Sequence, residues 1–84
     1  MKVLIIDDER AILETLEMFL SEKGYEVRTE DDGCKGLEAV GSDPPDVVIL
    51  DIRLPDMDGL EILRSIREDQ PDLNVIMITA YHDM

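Results

Sequence analysis

The chain has 84 residues, 44% of them hydrophobic and 35% charged, and its eight basic and 21 acidic side chains give a formal net charge of −13. This length allows a single domain with a modest core, and the charge argues against contact with nucleic acid or anionic lipid, since an acidic surface repels polyanions. No stretch approaches the roughly 20 apolar residues of a membrane helix, and no segment resembles a signal peptide. We therefore expect a cytoplasmic protein without membrane contact.

The chain begins with an apolar run that predicts a strand from Lys2 to Ile6. Short runs rich in Val and Ile are typical of strands buried on both faces of a parallel sheet. A helix is predicted from Glu9 to Glu22, and Gly24 ends it. The apolar residues on one face of this helix are Ile12, Leu16, Phe19 and Leu20. Strand and helix together form a first β–α unit.

The next segment predicts a second, more polar β–α unit. In residues 25–29, the charged side chains of Glu26 and Arg28 alternate with less polar ones, which is the pattern of a strand at a sheet edge. A turn at residues 31–33 precedes a short helix that extends to about Val40, and the Gly and Pro residues of positions 41–45 end it. Cys34 has no second cysteine with which to form an internal disulfide, and we predict a partly buried helix residue.

The remaining segment predicts a third β–α unit and a fourth strand. The third strand runs from Asp46 to Leu50, and a loop over residues 51–59 leads to a helix that Asp58 or a neighbour caps. The fourth strand, Val75 to Ile78, leads directly to Thr79. Regular alternation of strands and helices predicts an α/β fold with right-handed crossovers and a doubly wound parallel sheet.

Two of the predicted buried strands end in carboxylates. Asp7 and Asp8 follow the first strand, and Asp51 follows the third. Ligands of open α/β sheets bind beyond the carboxyl ends of the strands, so these side chains should meet there. Crowded carboxylates oppose one another's ionisation unless a cation or proton joins them, and Mg²⁺ suits a sparse set of oxygen ligands. We predict a magnesium site; the alternative is that Asp8 caps the next helix and Asp51 ends its strand by chance.

With these elements placed, the chain resembles the receiver domain of two-component signalling, a module that takes a phosphoryl group onto an aspartate. The resemblance covers all 84 residues and rests on three segments: residues 5–9 (IIDDE), 51–59 (DIRLPDMDG) and 76–80 (IMITA). The amino-acid sequences of these segments are most similar to those of receivers of enhancer-dependent transcription regulators. The resemblance implies a flavodoxin-like receiver fold, here with strand order 2-1-3-4.

The resemblance also implies roles for individual residues. Asp51 would be the phosphoacceptor, with Asp8 and Asp51 as direct Mg²⁺ ligands, Asp7 acting mainly through a bound water, and the carbonyl of Arg53 completing the ligands. Thr79 would supply the switch hydroxyl that binds the phosphoryl group. On local sequence alone, Thr79 is equally well explained as a β-branched residue at the end of a strand.

A further expectation concerns the end of the chain. A complete receiver continues after its fourth strand with a helix, a strand and a final helix, so we expect residues 1–84 to form a truncated receiver domain. The family's lysine belongs to that later part, and Lys2, Lys23 and Lys35 are not placed to replace it. The fourth strand would then be an open edge, and we expect a homo-oligomer that forms through residues Val75 to Thr79.

The resemblance implies two functions, and the acids at the strand ends allow a third. The first is a phosphoacceptor that a partner histidine kinase phosphorylates, and that assists its own phosphorylation and dephosphorylation without being an enzyme. The second is a phosphorylation-impaired interaction or dimerisation fragment of a response regulator. The third, a magnesium-dependent phosphohydrolase with Asp51 as nucleophile, ranks last, because Arg53 occupies the position where such an enzyme needs a second acid.

Overall fold

The chain alternates strictly between strands and helices. The structure, a computed structural model, describes residues 1–78. Its elements in chain order are β1 (Lys2–Ile6), α1 (Arg10–Glu22), β2 (Glu26–Glu30), α2 (Gly33–Ser42), β3 (Val47–Asp51), α3 (Gly59–Asp69) and β4 (Asn74–Ile78). The predicted type and order of these elements are confirmed, and their ends lie within two residues of the predicted ones.

The four strands form one parallel sheet in the order β2-β1-β3-β4. In β1, Leu4 lies opposite Arg28 of β2 and Val48 of β3. Val48 in turn lies opposite Val75 of β4. The predicted α/β fold and strand order are therefore confirmed. Because β1 and β3 are neighbours and run in the same direction, the acids that follow them leave the sheet at the same edge.

The sheet buries apolar side chains on both of its faces. One face packs against α2 and α3, and the buried residues there are Leu4, Ile6, Ala39, Val40, Val48, Leu50, Ile62 and Ile66. The other face packs against α1, and the buried residues there are Val3, Ile5 and Leu13. Alternate side chains of β1 thus enter opposite cores, which explains why this strand appears in the sequence as an uninterrupted apolar run.

The face of α1 that packs against the sheet agrees only in part with the predicted apolar face, since it includes Leu16 and Leu20 but not Phe19. Leu13 is the buried residue of this helix, whereas Phe19 keeps 54% of its surface exposed. At about 100° per residue, Leu13, Leu16 and Leu20 lie within about 60° of one another, and Phe19 lies about 120° from Leu13. The prediction that Phe19 shares one face with Leu16 and Leu20 is therefore wrong for the face that packs against the sheet. The Lys23 ammonium instead lies over the Phe19 ring, and its Nζ atom is 5.3 Å from the ring centroid.

The predicted end of α1 is confirmed in detail. Gly24 adopts a φ of 95°, which is readily accessible only to glycine. Its N–H donates to the carbonyl of Ser21, and the N–H of Tyr25 donates to the carbonyl of Leu20, the two bonds that close a helix end of this kind. None of the helices in residues 1–78 has the length and apolar character needed to cross a membrane.

Paired charges join the elements at the amino ends of the strands. The Lys2 ammonium lies 2.9 Å from Oδ1 of Asp43, and the Arg28 guanidinium lies 3.7 Å from Oδ2 of the same residue. Arg28 also donates to the carbonyls of Ala39 and Asp43, which end α2. This support for the last carbonyls explains why α2 continues to Ser42, two residues beyond its predicted end.

Candidate metal centre

Three carboxylates converge at the carboxyl ends of the central strands. Asp7 directly follows β1 and Asp51 ends β3, and the residues before them, Ile6 and Leu50, lie opposite each other in the sheet. Asp7, Asp8 and Asp51 each offer an oxygen, and these oxygens lie within 4.8 Å of one another. The structure thus brings together the acids that the sequence placed at two separate strand ends.

The three acids differ in their exposure to solvent. Asp7 and Asp51 expose only 1% and 5% of their surface, whereas Asp8 is exposed. Burial raises the pKa of the Asp7 carboxyl, an N–H bond from Glu9 opposes that rise, and the negative charges of Asp51 and Asp8 add to it. Because the ionised form of Asp7 is disfavoured by burial and by its neighbours, a bound cation would relieve both effects.

Main-chain hydrogen bonds hold the two buried acids in place. The N–H of Asp7 donates to the carbonyl of Glu30 over 3.1 Å and continues the β1–β2 ladder, while its Oδ1 accepts the N–H of Glu9 over 2.8 Å. Oδ1 of Asp51 accepts the N–H of Arg53 over a longer distance of 3.3 Å. Both carboxylates therefore project from fixed backbone at the sheet edge.

The oxygen spacing suits a small divalent cation. Neighbouring ligands of an octahedral Mg²⁺ ion, with bonds of about 2.1 Å, lie about 3 Å apart, and opposite ligands lie about 4.2 Å apart. Oxygens within 4.8 Å of one another need only small side-chain rotations to reach a common ion. Exposure of Asp8 leaves an approach from solvent. The donor set, made of carboxylate oxygens alone, is the kind that Mg²⁺ prefers.

The loop after Asp51 is closed tightly on itself. Arg53 and Asp58 form an isolated antiparallel bridge, and the N–H of Gly59 donates to the carbonyl of Ile52 over 2.6 Å. A Cβ atom on Gly59 would lie 2.6 Å from the carbonyl oxygen of Asp51 and 2.7 Å from the Cα of Ile52. Glycine is therefore required at this position, because a side chain would push the start of α3 away from the end of β3.

Several predicted site residues have a specific outcome. Asp58 caps α3 as predicted, since its Oδ1 accepts the N–H of Leu60 over 3.0 Å. Asp8 is not the cap of α1, because Glu9 occupies that position without a side-chain hydrogen bond. Arg53 lies in the loop next to Asp51, and the role of its carbonyl as a ligand stays a prediction. Thr79 lies outside the described residues.

The three lysines take part in contacts elsewhere in the molecule. Lys2 pairs with Asp43 at the amino ends of the strands, and Lys35 lies 3.9 Å from Asp31 and 4.0 Å from Asp32. Lys23 lies over the ring of Phe19. These placements agree with the expectation that none of them stands in for the family's lysine.

One residue of the loop has a structural role that the sequence did not predict. The carboxylate of Asp56 accepts the N–H of Gly33 over 2.8 Å and the N–H of Cys34 over 3.0 Å, both at the start of α2. These bonds lower the pKa of Asp56. Cys34 itself is exposed, so its predicted partial burial is wrong. Its place at a solvent-facing helix end, where Asp56 covers the main chain, accounts for the difference.

Comparison with protein families identifies a group to which the chain is similar. A family model described as the response regulator receiver domain matches residues 3–84. Response regulator MprA of Mycobacterium avium is 41% identical over 80 residues, which are 95% of this chain and 35% of MprA. The chain thus spans about a third of the length of the curated relatives that it matches. The finer resemblance to receivers of enhancer-dependent transcription regulators stays a prediction.

Solved structures give the same answer. A CheY-like receiver domain protein from Methanospirillum hungatei superimposes with a TM-score of 0.93 at 34% identity, over 99% of this chain and 66% of that one. TrrA of Thermotoga maritima in complex with Mg²⁺–BeF gives 0.91 at 41% identity, over 95% and 70%. TrrA bound to the histidine kinase ThkA gives 0.89 at 40% identity, over 98% and 71%. The fold, the family match and these relatives together show that the chain belongs to the response regulator receiver domain family.

Proposed function

We propose that this chain is a phosphoacceptor module that takes a phosphoryl group from a histidine kinase onto Asp51 in the presence of Mg²⁺. The observation that carries the proposal is the convergence of Asp7, Asp8 and Asp51 within 4.8 Å at one edge of the sheet. The relative TrrA, solved with Mg²⁺–BeF and with the kinase ThkA, supports both the ion and the partner.

The transfer assigns a different task to each acid. A carboxylate oxygen of Asp51 attacks the phosphorus of a phosphohistidine, a new O–P bond forms, and the N–P bond breaks with its electron pair returning to the imidazole. Asp8 and Asp51 would bind the metal directly, with Asp7 acting through a water and the Arg53 carbonyl as a further ligand. When bound, Mg²⁺ supplies the positive charge that offsets the phosphoryl oxygens.

The exposure of the acids fits this division of tasks. Burial of Asp51 on a central strand limits the directions from which phosphorus can approach its oxygens. Burial of Asp7, with one oxygen held by the N–H of Glu9, favours an indirect role, while exposed Asp8 faces incoming ions. The module would hold the phosphoryl group as a signal and assist its gain and loss, without acting as an enzyme on other molecules.

The remaining parts of the proposal concern the readout and the partners. Thr79 follows Ile78, which lies opposite Asp51 in the sheet, and its hydroxyl would bind the phosphoryl group as a switch. The charge of −13 favours partners other than nucleic acid, and we propose a cytoplasmic location.

Self-association is a separate proposal about the same chain. Among residues 1–78, β4 pairs with β3 on one side, and Ile76 keeps 53% of its surface exposed. A strand edge of this kind pairs readily with another chain. We propose a homo-oligomer through β4, which light scattering over a range of concentrations tests. A compact monomer at every concentration would contradict it.

The function itself is tested by intact-mass spectrometry after incubation with Mg²⁺ and acetyl phosphate. We expect one added phosphoryl group in the wild type and none in Asp51→Ala. A chelator should abolish the addition as well. If a folded wild-type sample gains no phosphoryl group, the proposal is wrong and an interaction fragment without phosphoacceptor activity becomes the better description.

A further inference from the structure

Asp56 belongs to the loop between β3 and α3, yet its carboxylate binds a different helix. Oδ1 accepts the N–H of Gly33 over 2.8 Å and Oδ2 accepts the N–H of Cys34 over 3.0 Å. The side chain of Asp32, the residue that precedes α2, accepts the N–H of Lys35 over 2.8 Å. Two of the N–H groups that a helix leaves without partners at its start are thus bound by a residue 22 or 23 positions away.

Close packing joins the same two segments. Gly33 is buried, and a Cβ atom there would lie 3.1 Å from both Cβ and Sδ of Met57 and 2.8 Å from Cδ1 of Ile62. The first turn of α2 therefore lies directly against the residue that follows Asp56. Hydrogen bonds and packing together hold the outer side of the loop against α2.

The inner side of this loop is part of the candidate site. The N–H of Arg53 donates to Oδ1 of Asp51, Arg53 bridges to Asp58, and the N–H of Gly59 donates to the carbonyl of Ile52. Residues 51–59 thus form a closed unit with one side at the acids and the other at α2. A displacement of Asp56 would be carried to the backbone around Arg53.

We propose that Asp56 is a positioning residue for the phosphoacceptor site, whose bonds to α2 hold the loop in the arrangement that binds Mg²⁺. This inference rests on the proposed function of Asp51 and its neighbours. The competing explanation is that Asp56 only caps α2. Asp32 distinguishes these two explanations. It is also an aspartate that caps α2, but the hydrogen bond that its side chain accepts comes from Lys35 of the same helix and not from the loop.

The test compares Mg²⁺ binding in the folded 84-residue chain and three variants, Asp56→Ala, Asp56→Asn and Asp32→Ala. Titration with MgCl₂ alone is followed by NMR at the backbone amides of Asp8 and Arg53, after circular dichroism has shown each variant to be folded. We expect Asp56→Ala to weaken Mg²⁺ binding about 10-fold, at the low end for loss of a residue that supports metal ligands, and Asp32→Ala to stay within about twofold of wild type. Asp56→Asn keeps one acceptor oxygen and should lie between them.

Salt separates geometry from charge. If Mg²⁺ affinity falls only because a negative charge is missing, the fall should shrink as KCl is added and should be equal in Asp32→Ala. If the loop is displaced, the fall in affinity should persist in KCl. Equal Mg²⁺ affinities in the Asp56 and Asp32 variants would overturn the inference while leaving the proposed function intact. A wild type that does not bind Mg²⁺ would overturn the proposed function and the inference with it. If Asp56→Ala does not fold, Asp56→Asn decides by the same criteria.

Discussion

The two ends of the sheet handle charge in opposite ways. At the amino ends of the strands, Lys2 and Arg28 surround Asp43, so the protein neutralises its own carboxylate. At the carboxyl ends, Asp7, Asp8 and Asp51 crowd together. The pKa of Asp43 is lowered by the hydrogen bond and charge of Lys2, whereas the pKa of Asp7 is raised by burial and by other acids.

This difference separates a cluster that stabilises the fold from one that, on the proposed function, binds a ligand. Paired charges at the amino ends join α2 to β1 and β2 without any outside partner. Crowded acids at the other end weaken the metal-free fold, because each ionised carboxylate opposes the next. Residues that disfavour the fold on their own are those expected to bind a ligand.

The largest difference between the two ends should appear in phosphorylation. Asp51→Asn should abolish the addition of a phosphoryl group, because the amide cannot act as the nucleophile. Asp43→Asn removes an acid from the paired cluster and should leave the addition unchanged. Intact-mass spectrometry with acetyl phosphate and Mg²⁺ measures both. Phosphorylation that persists in Asp51→Asn would show that another residue is the acceptor.

Glycine substitutions should also separate the ends. Gly59→Ala should lower the free energy of unfolding by about 2–3 kcal/mol, because the new Cβ would overlap the backbone of Asp51 and Ile52. Gly41→Ala in α2 meets nothing within 4 Å and should raise that free energy by about 0.5–1 kcal/mol through better helix propensity. Urea unfolding measures both changes. Equal changes in the free energy of unfolding for the two variants would mean that α3 can move away from β3 without loss of stability.

Magnesium should stabilise the fold through the carboxyl-end acids. At about 100 times its Kd, Mg²⁺ should raise the free energy of unfolding of the wild type by about 2.7 kcal/mol. Asp8→Asn, if it weakens binding about tenfold, should reduce that gain at the same concentration to about 1.4 kcal/mol. Urea unfolding with Mg²⁺ and with EDTA measures the gain, and Asp46→Asn, at the other end of β3, serves as the control. Equal gains in wild type and Asp8→Asn would exclude Asp8 as a ligand.

Acidification should produce the smallest effects, with opposite signs at the two ends. The raised pKa of Asp7 means that the folded state holds this proton more tightly, so stability rises as the pH falls through that raised pKa towards 3.8. The lowered pKa of Asp43 means that its contribution is present above 3.8 and is lost as the pH falls through the lowered pKa.

The measurement is urea unfolding in EDTA from neutral pH to about pH 3. In Asp7→Asn, the rise in the free energy of unfolding at mildly acidic pH should be absent. In Asp43→Asn, the fall in that free energy at lower pH should be smaller than in wild type. Saturating Mg²⁺ should remove the Asp7 effect from the wild type, since the bound cation favours the ionised carboxylate. Superimposable profiles for wild type and Asp7→Asn would show that the acids do not interact as described.

Local patterns in the sequence were sufficient to predict the elements and the candidate site. The apolar run of β1, the glycine after α1 and the cap of α3 each depend on neighbours a few residues away, and each was predicted. The meeting of Asp7 and Asp51 needed one further rule, that parallel strands end at the same edge of a sheet. Strand order came from the resemblance to receivers, and the structure confirms it.

Tertiary structure alone decided the features that depend on distant contacts. Helical periodicity placed Phe19 on one face of α1 with Leu16 and Leu20, and only the position of the sheet selects Leu13 as the buried residue. The bonds of Asp56 to α2 span 22 and 23 residues, and no local pattern links those positions. Periodicity and capping describe neighbours along the chain, whereas the packing that holds the acidic loop against α2 arises only when separate β–α units come together.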